Sequence, residues 1–180
     1  MFGKTIPQPR RICYLADDAH LQYKYAKDPL PLTLMASSPS MQELKQRIEV
    51  FLGVPFNSVL CNQYRNGQDY MGFHSDDERE LRGESGTASE VTIASISLGA
   101  ERRFVFEPRG KVPDQGKEKI EYTLAHGSLL VMSGTTQTHW RHALPKMLRV
   151  KEERINLTFR MMYPKPLRRP GKQITENESL

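Results

Sequence analysis

The chain has 180 residues, of which 38% are hydrophobic and 26% charged, a composition typical of one globular domain with a sizeable core. No apolar run reaches the ~20 residues of a membrane span, and the N-terminus has no apolar signal-peptide region. We therefore expect an intracellular monomer without membrane contact, nuclear if its source is eukaryotic and otherwise cytoplasmic.

The formal net charge of +5 favours a polyanionic partner, because neutralised phosphates release their counterions. Two cysteines, Cys13 and Cys61, are too few for a disulfide framework, so we expect reduced thiols.

The first predicted elements are an irregular N-terminal region and one helix. Residues 1–39 are rich in proline and precede the predicted core. Ser40 can cap the helix, and Glu43, three residues later, completes a capping box. Gly53 ends the helix, as glycine commonly does at this position. Between them runs an apolar stripe at helical spacing, made of Met41, Leu44, Ile48 and Phe51 or Leu52.

Short strands separated by turn-rich stretches follow the helix and predict a mainly β fold with two sheets, such as a jelly roll. Residues 40–163 are predicted to form this core. Residues 164–180, which are polar and contain three prolines, are predicted to be a disordered basic tail. The predicted strands are 58–64, 91–98, 103–107, 120–125, 128–132 and 154–162.

The last predicted strand presents two contrasting faces, because successive side chains of a strand point to opposite sides. One face is apolar and is made of Ile155, Leu157, Phe159 and Met161. The other is polar and is made of Arg154, Asn156, Thr158 and Arg160. An ordinary solvated face has the same appearance. However, six residues of strand separate the Cα atoms of the two arginines by roughly 20 Å. If both side chains lean inward, a gap of roughly 6–8 Å remains between their guanidinium groups, which suits a short dicarboxylate.

His74-Ser75-Asp76 is an H-x-D pair whose side chains share one face of an extended segment and can bind one metal ion. A third ligand must come from elsewhere; His142 is the best candidate, and His139 lies in the same segment. Two histidines and one carboxylate leave three open positions on the metal, as in the facial triad of non-haem Fe(II) oxygenases. A 2-oxo acid can take two of these positions and dioxygen the third. An isolated H-x-D pair is also common near surface turns, so the prediction depends on the later histidine and the arginine strand.

At these residues the sequence resembles the AlkB family of nucleic-acid dealkylating dioxygenases, over about residues 2–163. The order H-x-D-D-E and then H-W-x-H-x-L-P is most similar to the eukaryotic homologues that repair alkylated double-stranded DNA. The resemblance is carried by Asn62-Gln63-Tyr64, His74 to Glu78, His139 to His142 and Arg154 to Arg160.

The resemblance implies a double-stranded β-helix (jelly-roll) core that uses Fe(II), 2-oxoglutarate and O2. It implies that His142, rather than His139, joins His74 and Asp76 as a metal ligand. The implied reaction removes N-alkyl groups of the 1-methyladenine and 3-methylcytosine type from DNA bases and releases formaldehyde, succinate and CO2. Arg160 is counted among the catalytic residues as well as in the implied 2-oxoglutarate shell, which consists of Asn62, Tyr64, Arg154, Asn156, Thr158 and Arg160.

A methyl group on a base-pairing nitrogen is hidden inside a duplex, so the base must be flipped out or single-stranded. The resemblance makes residues 1–39 a nucleotide-recognition lid, in which Tyr23 and Tyr25 contact the base and Phe2 fills the gap that the flipped base leaves. Asp77 and Glu78 could accept hydrogen bonds from exocyclic amines and stabilise a positively charged methylated base. The expected substrate contacts are Phe2, Gly3, Lys4, Tyr23, Lys24, Tyr25, Asp77 and Glu78.

Three other functions remain open at this point. The same scaffold could demethylate RNA, because no residue in the sequence decides between DNA and RNA. A lesion-binding module without catalysis is disfavoured by the complete triad and both arginines. A hydroxylase of proteins or small molecules is disfavoured by the basic charge and the N-terminal aromatic residues.

Overall fold

The computed structural model describes residues 9–25, 28–83, 86–87, 91–110 and 118–163, with side chains omitted from 24, 25, 28 and 29. Strands are the main regular structure of the described chain, and no helix within it is both long enough and apolar enough to cross a membrane. The strands are β1 Arg11–Ala16, β2 Lys24–Tyr25, β3 Asp28–Pro29, β4 Leu32–Leu34, β5 Ser58–Tyr64, β6 Met71–His74, β7 Ile93–Gly99, β8 Arg102–Pro108, β9 Ile120–Leu124, β10 Leu129–Met132, β11 Trp140–Leu144 and β12 Arg154–Arg160. The helices are α1 Pro39–Leu52 and the short α2 Thr136–His139, with 3-10 turns at Met35–Ser37 and Arg79–Leu81.

Two sheets form the core. The major sheet has the order β10-β7-β12-β5-β1-β4, and the minor sheet has the order β6-β11-β8-β9. All of their pairings are antiparallel except that of β1 with β4. A cluster of buried residues from both sheets, among them Tyr14, Leu60, Phe104 and Leu144, joins them. The predicted jelly-roll core is therefore confirmed.

The polar and apolar faces predicted for the last strand are both buried. In β12, Leu157 and Phe159 belong to a second core cluster, to which Ile48 of α1 also belongs. Arg154 and Arg160 are only 1% and 5% exposed, so the polar face is not solvated. β12 lies between β5 and β7 in the interior of the major sheet, and the second core cluster covers its apolar face.

Helix α1 differs from its prediction at its beginning and agrees at its end. It begins at Pro39, after the cap residue Ser38, and no side chain caps it, so the predicted capping box was wrong. Proline suits the first helical position because it has no N–H group to leave unpaired. Gly53 ends the helix with φ 68° and donates its backbone N–H to Glu49, as predicted.

The N-terminal region is more ordered than the sequence suggested. Residues 11–16 were expected to be irregular, but they form β1, which pairs with β5 over its whole length. Tyr14 packs in the core between the sheets and Leu15 in the second cluster, so the strand alternates between two buried faces. The division of the chain at residue 39 stays a prediction, as does the disordered tail 164–180, which lies outside the described residues.

Candidate metal centre

The three predicted metal ligands come together in space. His74 Nε2 lies 3.4 Å from Asp76 Oδ1, and His142 Nε2 lies 4.0 Å from the same oxygen. One ligand atom from each residue can be chosen so that all three lie within 4.8 Å of one another. Two imidazole nitrogens and one carboxylate oxygen converging on a point are the donor set of a facial triad, so the residues fit the metal that the sequence predicts.

A β-bulge directs His74 into this cluster. In the pairing of β6 with β11, His74 is opposite His142 and Met71 is opposite Leu144, so three steps along β6 match two along β11. As a result both Met71 and His74 line the same cavity, although residues three apart in a regular strand face opposite sides. His74 Nδ1 lies 2.9 Å from the Gly72 carbonyl, which can only accept, so Nδ1 carries the proton and Nε2 is left for a metal.

His142 reaches the cluster because it lies in β11, with its ring held between other aromatic residues. The ring stacks on Phe104 with centroids 5.4 Å apart and meets the edge of Phe106 at 6.0 Å. His139 is the last residue of α2, three residues earlier, and does not belong to the cluster. The structure thus brings together the histidine that the family resemblance selected.

The electrostatics favour the metal-binding protonation states of two of the three residues, Asp76 and His142, but not of His74. Burial alone would raise the pKa of Asp76, but Arg160, whose Nη2 donates to Asp76 Oδ2 at 2.6 Å, and the two histidines lower it below its ordinary value. Burial lowers the pKa of His142 to about 4, which keeps its imidazole neutral at pH 7. Burial also acts to lower the pKa of His74, but the neighbouring Asp76 raises it overall. An ionised carboxylate and neutral imidazoles are the forms that coordinate metal ions.

The cluster opens into a cavity of about 380 Å³ between the two sheets. Five of the six residues predicted for the 2-oxoglutarate shell line it: Asn62, Tyr64, Asn156, Thr158 and Arg160. Asn62 and Tyr64 come from β5, and the other three from the neighbouring β12. These strands pair with Asn62 opposite Asn156 and Tyr64 opposite Arg154, which places the polar residues side by side.

Arg154, the sixth predicted residue, does not line the cavity and lies behind Tyr64. Its guanidinium carbon is 5.4 Å from the Tyr64 ring centroid, and its Nη2 donates to Ser97 Oγ at 2.8 Å. Its Nε and Nη1 are buried and have no hydrogen-bond partner among the described residues, and the same holds for Nε of Arg160. Burial lowers the pKa of Arg154 to about 10, so it remains a cation at pH 7. Buried arginines that keep unused N–H donors fit a site for an anionic co-substrate.

Of the predicted substrate contacts, Tyr23 and Glu78 line the cavity. Tyr23 donates its hydroxyl proton to Glu78 Oε1 at 2.6 Å, while Glu78 Oε2 is buried without a partner among the described residues. Asp77 does not line this cavity, and its carboxylate accepts from Arg109 Nη1 at 2.5 Å. The other predicted contacts lie outside what the structure describes: residues Phe2, Gly3 and Lys4, and the side chains of Lys24 and Tyr25.

Several buried polar residues around the site were missed from the sequence. Arg10 lines the cavity, and its Nε donates to Asn62 Oδ1 at 2.6 Å. The fully buried Gln137 accepts the backbone N–H of Asp76 at 2.8 Å, which fixes the segment that carries the ligand. Arg102 is 1% exposed and donates to the backbone carbonyls of Asn66, Asp69 and Pro145. Only the serines of β7 carried a signal, since Ser95 and Ser97 alternate within an otherwise apolar strand.

Comparisons with known proteins agree with this geometry. The family model of the 2OG-Fe(II) oxygenase superfamily matches residues 3–160. The chain is 41% identical over 167 residues to the DNA oxidative demethylase ALKBH2 of Bos taurus, which covers 91% of this chain and 57% of that protein. It is 39% identical over 171 residues to the alpha-ketoglutarate-dependent dioxygenase alkB homolog 3 of Rattus norvegicus, covering 93% of this chain and 55% of that protein.

The chain thus spans little more than half the length of these curated relatives. Among solved structures, that of OsALKBH1 superposes with a TM-score of 0.57 over 85% of this chain and 78% of the other, at 15% identity. At this identity the superposition supports the fold alone.

Proposed function

Since this chain belongs to the 2OG-Fe(II) oxygenase superfamily, and within it to the AlkB family, we propose that it oxidatively removes N-alkyl groups from DNA bases. The superfamily uses Fe(II), 2-oxoglutarate and O2. The lesions we propose are 1-methyladenine and 3-methylcytosine, in which the methyl group on a ring nitrogen gives the base a positive charge. The relatives named as DNA oxidative demethylases support DNA as the substrate.

One observation carries the proposal: the carboxylate of Glu78 lies at the same cavity as the metal cluster and has one oxygen without a partner. Glu78 lines this cavity with His74, Asp76 and His142, and its Oε2 is buried without a hydrogen-bond partner among the described residues. A buried carboxylate oxygen is costly to leave unpaired unless it meets a cation or a hydrogen-bond donor. A cationic methylated base offers both, through its ring charge and its exocyclic amine.

The residues of the cavity divide the work of the reaction between them. His74, Asp76 and His142 would hold the iron, and Arg160, which lines the cavity, would pair with a carboxylate of 2-oxoglutarate. Arg154 would add a positive charge from behind Tyr64. When bound, Fe(II) and 2-oxoglutarate supply the oxidation of the N-methyl group by O2, which releases formaldehyde, succinate and CO2. The protein contributes by positioning the base and the co-substrate, and the buried location of the site excludes water.

Tyr23 has a defined part in holding the base. Burial raises its pKa, so its hydroxyl keeps the proton that it donates to Glu78. The arrangement fixes Glu78 Oε1 and leaves Oε2 to accept from the base. We further propose that Tyr25 contacts the base, that Phe2 occupies the gap left in a duplex, and that the protein acts as a monomer.

The test uses matched DNA and RNA oligonucleotides, single- and double-stranded, that carry 1-methyladenine or 3-methylcytosine. The protein is incubated with Fe(II), 2-oxoglutarate and ascorbate, and each oligonucleotide is weighed by mass spectrometry. We expect a loss of about 14 Da, one methylene group, from the DNA. His74→Ala should abolish the loss and His139→Ala should retain it. A loss from RNA alone would replace the proposed substrate, and no loss from any oligonucleotide would overturn the demethylase function.

A further inference from the structure

The two cysteines of the chain face each other directly across a pair of neighbouring strands. In the antiparallel pairing of β1 with β5, Cys13 is the partner of Cys61. Both point away from the metal centre, because Tyr14 and Asn62, the next residue along each strand, point towards the space between the sheets. The two thiols therefore project from the same, outer face of the major sheet.

The spacing of such a pair suits a disulfide bond. Directly opposed residues in antiparallel strands have Cα atoms about 4.5 or about 5.5 Å apart, depending on the type of pair. Disulfides join Cα atoms that are roughly 4.4–6.8 Å apart, so both types lie within range. The Cβ separations of opposed residues, about 4.5–5.5 Å, meet the upper end of the range for disulfides. The bond therefore requires only a small inward lean of the two side chains.

The environments of the two thiols differ in a way that orders their chemistry. Cys13 is exposed, whereas Cys61 is half-buried and packs against the second core cluster. Burial raises the pKa of the Cys61 thiol to about 12, and the neighbouring Cys13 adds to this shift. Cys13 is therefore the thiol that an oxidant in solution reaches first, and Cys61 is placed to react with it afterwards.

We propose that Cys13 and Cys61 form a modification site at which a hydroperoxide produces a reversible intramolecular disulfide that joins β1 to β5. The Cys13 thiol loses its proton to solvent, and the thiolate attacks the outer oxygen of the hydroperoxide. The O–O bond breaks, Cys13 becomes a sulfenic acid, and the leaving alkoxide takes up a proton from solvent to become an alcohol. The Cys61 sulfur then attacks the Cys13 sulfur, the S–O bond breaks, and the hydroxide leaves with the Cys61 proton as water. The two thiols together lose two electrons and two protons, and the hydroperoxide is reduced to alcohol and water.

The bond would form beside the wall of the cavity. Cys61 directly precedes Asn62, and Arg10, which donates to Asn62, directly precedes β1.

The disulfide would also close a loop of several tens of residues between its cysteines, which restricts the unfolded chain. We expect the oxidised protein to melt about 5–10 °C above the reduced protein. This proposal does not depend on the demethylase function.

The experiment treats the metal-free protein with a small excess of hydrogen peroxide, or of tert-butyl hydroperoxide, and follows it by intact-mass analysis and peptide mapping. We expect a monomer lighter by about 2 Da, with no free thiol after denaturation and a linked peptide pair that contains Cys13 and Cys61. Dithiothreitol should restore the original mass and melting temperature. Cys13→Ser and Cys61→Ser, treated in parallel, should form no such species and should show no rise in melting temperature.

Two results would overturn the proposal. One is a wild-type protein that gains oxygen on separate thiols, or that links only to a second copy, as the single-cysteine variants are able to do. The other is an intramolecular bond that leaves the melting temperature unchanged, because the strands would then not be joined in their native register.

Discussion

Replacing Arg160 with methionine should destabilise the metal-free protein strongly, because the substitution leaves a buried carboxylate without its cation. Arg160 and Asp76 are 5% and 3% exposed, and their side chains are joined at 2.6 Å. At an effective dielectric constant of ~20, Coulomb attraction at this distance is about 6 kcal/mol, before desolvation is subtracted. Breaking a buried pair by removing one partner typically costs about 3–5 kcal/mol. For a chain of this length, that corresponds to a melting temperature about 6–20 °C lower.

The assay is urea unfolding of the metal-free protein at pH 7 in the presence of EDTA, followed by circular dichroism. Arg47→Met is the matched control, because Arg47 pairs with Glu43 on the surface, at 76% and 63% side-chain exposure, and should cost at most about 0.5 kcal/mol. Adding Asp76→Asn to Arg160→Met should recover part of the lost stability, because it removes the unpaired charge. The reasoning is refuted if Arg160→Met unfolds within about 1 kcal/mol of the wild type, or if the double variant is less stable than Arg160→Met.

Three further predictions follow from the site and its surroundings. Because burial places the pKa of His142 near 4, below its unfolded value of about 6.5, the unfolded state binds more protons between these values. The free energy of unfolding of the metal-free protein should therefore fall as the pH is lowered from about 6.5 to about 4, and a His142→Gln variant with the same pH slope would contradict this. A Cβ atom on Gly67 would lie 1.7 Å from the Met147 carbonyl oxygen, whereas one on Gly72 meets no atom within 4 Å. Gly67→Ala should therefore lower the free energy of unfolding by more than about 2 kcal/mol, and Gly72→Ala by less than about 1 kcal/mol. Equal losses of stability in thermal melts of the two variants would count against the described packing. Glu78→Gln should reduce kcat/KM about tenfold for the cationic 1-methyladenine and much less for a neutral methylated base such as 3-methylthymine. An equal reduction for both bases would argue against a role for the charge of Glu78.

The predictions from sequence succeeded where a local pattern and a buried environment coincide. Strand β5 has the predicted bounds, 58–64, and its alternate residues Leu60, Asn62 and Tyr64 line the cavity. The polar face of β12 is buried rather than solvated, and three of its four residues, Asn156, Thr158 and Arg160, line the cavity. His74 and Asp76 were predicted because the H-x-D spacing reflects the chemistry of a metal ion, whereas His142 was chosen over His139 by the family resemblance.

Apart from the local error at the start of helix α1, the features that were missed depend on distant parts of the chain. The bulge that turns His74 inward appears only in the pairing of β6 with β11, and the sequence of neither strand alone predicts it. Arg102 resembles an exposed strand residue in sequence, yet it is buried by three carbonyls that come from other segments. Strand β1 was missed because its partner β5 lies more than forty residues away and the surrounding prolines suggested a loop.

The most direct test of the central claim measures repaired base and succinate together, in a DNA oligonucleotide that carries 1-methyladenine. If the cluster of His74, Asp76 and His142 drives the reaction, succinate and repaired adenine should form in equal amounts in the wild type. Both products should be lost in His142→Ala and retained in His139→Ala, although these histidines are only three residues apart. Repair that persists in His142→Ala, or succinate formed without any repaired base, would contradict the account.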